Sequence, residues 1–185
     1  AEPMLTTSMK SVGEAMAIGR SFAESLQKGL RSMETGLCGL NEIAESMSRE
    51  ECLAGLAKPR PDRILSIADA FRRGLELEEV YAACRFDRWF LEQIKMLVDA
   101  EDEVRRTGLP GDLPGLLRLK SQGFSDERLA QLTGSRAEDV ARFRRLLGGA
   151  PVFKRVDTCA AEFPTQTSYM YSTYEPDGAL GAECE

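Results

Sequence analysis

Between Pro61 and Leu147 apolar residues recur three and four positions apart, the spacing of helices that each bury one face. The first helix of this stretch is predicted from Pro61 to Arg73, with Ile64, Ile67, Ala68 and Phe71 as its buried stripe and Gly74 as its stop. A short piece follows at Leu77–Cys84. Asp87 then caps a long helix through Arg106, whose apolar face carries Phe90, Ile94, Leu97, Val98 and Val104. Asp112-Leu113-Pro114 places proline in the first turn of the next helix, which Gly123 stops. Ser125 caps Asp126–Leu132 and Gly134 turns the chain. Ser135 with Glu138 reads as a capping box for a last helix ending at Gly148-Gly149. Short helices joined by loops of about two to six residues predict a mainly α protein, with a compact all-α domain over residues 61–149.

The flanks are patterned differently. Residues 1–36 open polar, pass the Lys10–Glu14 cluster and the short apolar run Ala15–Ile18, and reach an S-x-x-E capping box at Ser21 and Glu24. Phe22, Leu26, Leu30 and Met33 share a helical face, and Gly36 is a natural stop, so this zone reads as a strand or loop followed by one amphipathic helix. Residues 37–60 are irregular, with alternative short helices around Asn41–Ser48 and Arg49–Leu56, and Lys58-Pro59-Arg60-Pro61 marks a boundary. From residue 150 the composition shifts to Thr, Ser, Tyr and Phe around Pro164, an extended, non-helical segment. Its Phe153, Val156, Phe163, Tyr169, Met170 and Tyr171 are expected to lie on a surface, and Pro176–Glu185 is expected to be disordered.

Composition narrows the chemistry. The 185 residues contain no histidine, which excludes a Ser-His-Asp triad, a Cys-His dyad, any His-ligated zinc site and a histidine pH switch. A formal charge of −6 makes the chain as a whole a poor polyanion binder. The five cysteines, Cys38, Cys52, Cys84, Cys159 and Cys184, have no CxxC spacing and read as reduced thiols. The opening residues lack an apolar signal region, and no run approaches the roughly 20 apolar residues of a membrane span. A soluble cytosolic protein is expected.

No glycine pattern forms a standard phosphate loop. Lys10 to Glu14 fits a phosphate or tunnel lining as well as an ordinary turn. Among the cysteines only Cys159, four residues from Arg155, has a cationic neighbour in sequence that could favour a thiolate. Glu76, Glu78, Glu79, Glu101, Asp102 and Glu103, with Arg105 and Arg106, read as a solvated, salt-bridged face rather than an acid–base pair. Phe86, Trp89 and Phe90, around the one tryptophan, are candidate anchors for association or for the core. Ser125–Leu147 also has the form of a helix-turn-helix, with Leu129, Ala130 and Leu132 before the turn and Val140, Phe143 and Leu147 after it. Arg136, Arg142, Arg144 and Arg145 line its second helix, but Glu138 and Asp139 occupy the turn that would meet base edges.

Three ordered stretches go further. Phe153-Lys154-Arg155-Val156-Asp157-Thr158-Cys159-Ala160-Ala161-Glu162-Phe163, then Thr165, Thr167 and Tyr169 to Glu175, resemble the signature linker of the carbamoyl-phosphate synthase large-subunit family. Met9 to Glu14, Met16 to Arg20 and Glu24 to Lys28 resemble the end of that enzyme's first ATP-grasp half. Arg63-Ile64, Asp69 to Arg72, Phe86 to Phe90, Gly123 to Asp126 and Leu129-Ala130 resemble its oligomerization domain.

The resemblance implies the tail of the first ATP-grasp domain over 1–36, a variable connector over 37–60, the helical oligomerization domain over 61–149 and a linker towards the second half over 150–185. It implies membership of a cytoplasmic ligase that makes carbamoyl phosphate from bicarbonate, glutamine-derived ammonia and two ATP, using magnesium or manganese, for arginine and pyrimidine synthesis. Its partners are other large subunits, as dimer or tetramer, and a small glutaminase subunit, with neither nucleic acid nor membrane. The segment is expected to start after the nucleotide- and metal-holding residues and to stop before the second half. No catalytic, cofactor-binding or metal residue is then assigned, and the segment is expected to be inactive alone. Glu14, with Lys10 balancing its charge, is the candidate lining of a tunnel or active-site rim. A DNA-binding module at Ser125–Leu147 is the alternative; a small independent enzyme would require turnover by the segment itself.

Overall fold

A computed structural model describes residues 4, 6–11, 13–43, 47–160, 162–164 and 167–175. Eight helices come first among them: α1 (Phe22–Ser32), α2 (Arg49–Leu56), α3 (Arg63–Arg72), α4 (Leu77–Cys84), α5 (Arg88–Thr107), α6 (Leu113–Ser121), α7 (Asp126–Thr133) and α8 (Ala137–Leu146). A two-stranded antiparallel sheet follows, β1 (Val152–Arg155) with β2 (Met170–Thr173), registered Val152 to Thr173 and Arg155 to Met170. The chain is mainly α, as the periodicity predicts.

α5 is the spine, packed against α1, α3, α4 and α7. Its buried residues, Leu91, Ile94, Leu97, Val98, Glu101 and Val104, follow helical spacing and meet Ile67, Ala68 and Phe71 of α3, Val80 of α4 and Leu129 and Leu132 of α7 in one core. Phe90 is not on that face. It is 42% exposed, and its neighbour Leu91, one residue round the helix, takes the buried position. α2 begins at a capping box: Ser48 Oγ accepts from the Glu51 N–H at 3.2 Å and the Ser48 N–H donates to Glu51 Oε2 at 2.8 Å. Residues 41–43 are not helical, and 44–46 lie outside the described residues.

The capping box expected at Ser135 and Glu138 does not form. Gly134 closes α7 in the left-handed conformation and the Ser135 N–H donates to Ala130 O, so Ser135 belongs to the end of α7. Arg136 precedes α8 instead. No strand occurs among the described residues before α1. The hairpin also presents a different side from the expected one. Phe153, Phe163, Tyr169 and Met170 are exposed, whereas Lys154 and Thr173 are buried against the helical body. Residues 176–185, with Cys184 and the predicted disordered end, and Thr165 lie outside the described residues.

Candidate association surface and its ionic framework

At the start of α5, Asp87 Oδ1 accepts from the Trp89 N–H at 2.9 Å. Trp89, Phe90 and Phe22 of α1 form a three-ring cluster, with centroids 5.4 Å apart for Phe22–Trp89, 5.1 Å for Phe22–Phe90 and 5.0 Å for Trp89–Phe90. Trp89 is 49% exposed, so the only tryptophan is not in the core. A contiguous, half-open aromatic cluster is the kind of surface that marks an interaction site. Beside it, Arg88 holds Glu78 through two bonds, at 2.9 and 2.8 Å, and stacks on Tyr81 with Cζ 3.6 Å from the ring centroid. Phe86 is different. It packs against the core beneath Arg63, whose Cζ lies 4.9 Å from its ring centroid.

About 18 Å further along α5, at 1.5 Å per residue, Glu101 is fully buried rather than on the solvated face its charged neighbours predict. Three guanidiniums converge on it. Arg128 Nε and Nη2 donate to its two oxygens at 2.8 Å each, Arg72 Nη2 at 2.7 Å and Arg105 Nη2 at 3.3 Å. Arg128 also donates to both oxygens of Glu42 at 2.9 Å, and Arg72 to Asp69 Oδ1 at 2.6 Å. Burial by itself pushes the Glu42 carboxyl up, but its bonds to Arg128 and the backbone, with the nearby charges of Arg128 and Arg72, hold it at about 2. The same bonds to Glu101 and Glu42 raise the Arg128 pKa against a large opposing effect of burial.

This network also orders the irregular connector before α2. Arg128 and Arg72 both donate to Leu40 O, and Asp69 Oδ2 accepts from the Ile43 N–H at 2.9 Å. Backbone groups without a helix or sheet partner are thereby satisfied.

A second polar cluster fastens the hairpin to α1. Glu24 is buried and accepts from the Arg20 N–H at 2.7 Å and from Thr173 Oγ1 at 3.1 Å, and it pairs with Lys28 at 2.7 Å. The expected reach of Glu24 back to the N-cap thus falls on Arg20, one residue before Ser21. Lys28 Nζ also donates to Ser172 O at 2.5 Å, and Glu175 Oε1 lies 3.1 Å from Arg20 and 3.2 Å from Lys154.

The remaining sequence candidates are dispersed. Lys10 Nζ donates to Met4 O at 2.8 Å, and Glu14 is exposed in the irregular segment before α1. Cys38, Cys52 and Cys84 are buried free thiols and Cys159 is a half-buried one, while Arg155 donates to Thr167 O. In the helix-turn-helix reading, Arg144 is held by Asp126 and Gly149 O, and Arg136 and Arg142 both pair with Asp139, so three of the four arginines are engaged within the protein. Among the described residues no group of three or more acidic, cysteine or histidine side chains could hold a metal ion. No described helix is long and apolar enough to cross a membrane.

Interlocked helices, a buried ionic framework and a half-open aromatic cluster describe a helical scaffold domain. The chain belongs to the family described as carbamoyl-phosphate synthetase large chain, oligomerisation domain, whose model matches residues 14–148. It is 55% identical to the carbamoyl phosphate synthase large chain of Rhizobium meliloti (strain 1021) over 193 aligned positions, covering 100% of this chain and 17% of that protein. It is 54% identical to the large chain of Brucella melitensis biotype 1, covering 94% of this chain and 15% of that protein. For the large chain of Neisseria meningitidis serogroup B the identity is 52%, with 96% of this chain and 16% of that protein covered. The chain thus spans about a sixth of the length of the curated relatives it matches. Nothing in these matches supports the DNA-binding alternative.

Proposed function

We propose that this domain associates with a second copy of itself through the face formed by Phe22, Trp89 and Phe90, and so joins large chains into a dimer or tetramer. The observation that carries this reading is the three-ring cluster left half open at the start of the spine helix. Tryptophan and phenylalanine at the centre of such a patch supply much buried area at little side-chain entropy cost. The ionic framework keeps α5 fixed relative to α3 and α7, so the face is presented in one geometry.

The larger protein, in this proposal, is a cytoplasmic ATP-dependent ligase. It makes carbamoyl phosphate from bicarbonate, glutamine-derived ammonia and two ATP with magnesium or manganese, in the service of arginine and pyrimidine synthesis, and a small glutaminase subunit is its partner. Names of relatives and the ordered motifs support this. Residues 1–36 and 150–185 then flank the oligomerisation domain as the end of one catalytic half and the linker to the other. The 185-residue chain has no turnover of its own, and Glu14 with Lys10 lines a tunnel or active-site rim completed by the rest of the protein.

Sedimentation velocity over a wide concentration range tests the association. Wild type is expected to shift towards dimer with concentration, and Trp89→Ala to remain monomeric with an unchanged helical circular dichroism spectrum. A strictly monomeric wild type, or a Trp89→Ala that associates equally well, would sink the proposal and leave the rest of the larger chain as the cover of this face.

A further inference from the structure

A cleft of about 230 Å³ opens where three separate parts of the chain meet: α1, the turn from α6 to α7, and β2. Three cations line it, Lys28, Arg31 and Lys120, against two carboxylates, Glu24 and Asp126. The carboxylates are already satisfied. Glu24 takes Lys28, the Arg20 N–H and Thr173. Asp126 lies 2.8 Å from Lys120 Nζ and 2.9 Å from Arg144 Nη2, between two cations.

Arg31 is the exception. Among the described residues no carboxylate lies within the 4.0 Å of an ion pair, and its guanidinium makes one hydrogen bond, from Nη1 to Gly123 O at 2.5 Å. Four of its five N–H donors have no acceptor in the described residues. Yet the group is substantially desolvated, and burial lowers its pKa. Arg31 is half-buried, and a guanidinium so placed is ordinarily paired with a carboxylate; this one is not. Two more positive charges stand close by: Lys120 Nζ is 5.2 Å and Arg144 Cζ 5.8 Å from the centroid of the Tyr174 ring, a residue that also lines the cleft. The Lys120 side chain is 6% exposed, and burial lowers its pKa against the opposing effect of Asp126, with the charges of Arg144 and Arg31 adding to the lowering.

We propose that this cleft binds a small oxyanion, a phosphate ion or a phosphoryl or carboxylate group, with the Arg31 guanidinium as its principal ligand and Lys120 as the second cation. The planar fork of Arg31 suits two oxygens of one such group. The volume is below the roughly 300 Å³ at which pockets for drug-sized molecules begin, so the cleft takes a single small group and not a whole nucleotide. A bound anion touches elements from the beginning, middle and end of the described chain. Its occupancy therefore pins β2 and the hairpin to the helical body. This inference is independent of the aromatic face.

The test is titration of the 185-residue chain with inorganic phosphate, and separately with acetate, at ionic strength held constant with sodium chloride. Binding is followed by thermal unfolding and by backbone hydrogen exchange of Tyr171–Thr173. Saturable stabilisation, with slower exchange in β2, is expected, and the stronger of the two probes identifies the group as phosphoryl or carboxylate. Arg31→Gln is expected to weaken binding on the order of tenfold or more, the effect of losing a charged hydrogen bond. Arg31→Lys should fall between, and Arg145→Gln, which does not line the cleft, should bind as wild type. Wild type that shows no saturable response beyond sodium chloride overturns the proposal, as does binding unchanged in both Arg31 variants.

Discussion

Replacing Glu101 by glutamine exchanges one oxygen for an amide nitrogen and removes the buried charge on which three guanidiniums converge. Glu101 Oε2 accepts from Arg72, Arg105 and Arg128, whereas Oε1 accepts from Arg128 Nε alone. The amide therefore keeps its oxygen on the crowded side and sets its NH2 against the Arg128 Nε–H. A bond of 2.8 Å becomes a contact between two donors, and the other three lose one of their two charges. Removing one partner of a buried pair costs about 3–5 kcal/mol, because the remaining charge stays buried without compensation. Here that charge is Arg128, whose side chain is 1% exposed and is left with Glu42 alone, a carboxylate itself 47% exposed to solvent. At about 2–4 °C per kcal/mol for a chain of this size, the melting temperature should fall by roughly 6–20 °C. Arg128→Met should cost less, about 1–3 kcal/mol, since Glu101 keeps Arg72 and Arg105 and a hydrophobic group fills the space. Urea and thermal unfolding followed by helical circular dichroism measure both. A loss below about 1 kcal/mol for Glu101→Gln, or a larger loss for Arg128→Met, would refute the reasoning.

Acid should act through the same network. The Glu42 carboxyl is lowered from 4.5 to about 2, so its contribution is complete above about pH 4.5 and disappears as pH falls through about 2. The Glu42 side chain is 47% exposed, and solvent screening reduces that contribution to about 1 kcal/mol. In urea titrations Glu42→Gln should lose about 1 kcal/mol of the stability difference between about pH 6 and about pH 2, and a difference as large as that of wild type would count against it. Two glycines should respond with opposite signs. Gly123 has φ +94°, and a Cβ there would sit 2.9 Å from the Glu24 Cα, so Gly123→Ala should destabilise by about 2–4 kcal/mol and loosen α1 from the α6–α7 turn. Gly55, inside α2 with open space around it, should gain about 0.5–1 kcal/mol on replacement by alanine. Thermal unfolding of both variants checks the pair, and a Gly123→Ala as stable as wild type would remove the close approach from the account.

Much of the helical architecture was legible because caps and apolar spacing are local. Leu77–Cys84 is bounded correctly, and Asp87 and Ser125, the expected caps, accept backbone N–H bonds in the structure. The same local signature also misled. Ser135 and Glu138 have the capping-box spacing, but the left-handed turn at Gly134 assigns Ser135 to α7, whereas Ser48 and Glu51 do form such a box. Glu101 was misread because charge was weighed above position. It lies seven residues after Ile94 and three before Val104, on the buried stripe, and that spacing was the available signal. Its partners could not be read, because Glu42, Arg72 and Arg128 come from three other parts of the chain. Trp89 and Phe90 stand out in the sequence as candidates for either association or the core, and their exposure depends on Phe22 and on how α1 crosses the start of α5. The pairing of β1 with β2 and the burial of Lys154 are likewise long-range outcomes.

The most direct test of the association face uses its own reporter, because Trp89 is the sole tryptophan. Its fluorescence emission should be recorded from nanomolar to high micromolar chain concentration, alongside the sedimentation coefficient. Burial of the ring between two copies should shift the emission to the blue along the same concentration curve on which the dimer appears. Association with no change in tryptophan emission would place the interface elsewhere on the domain and contradict the central claim.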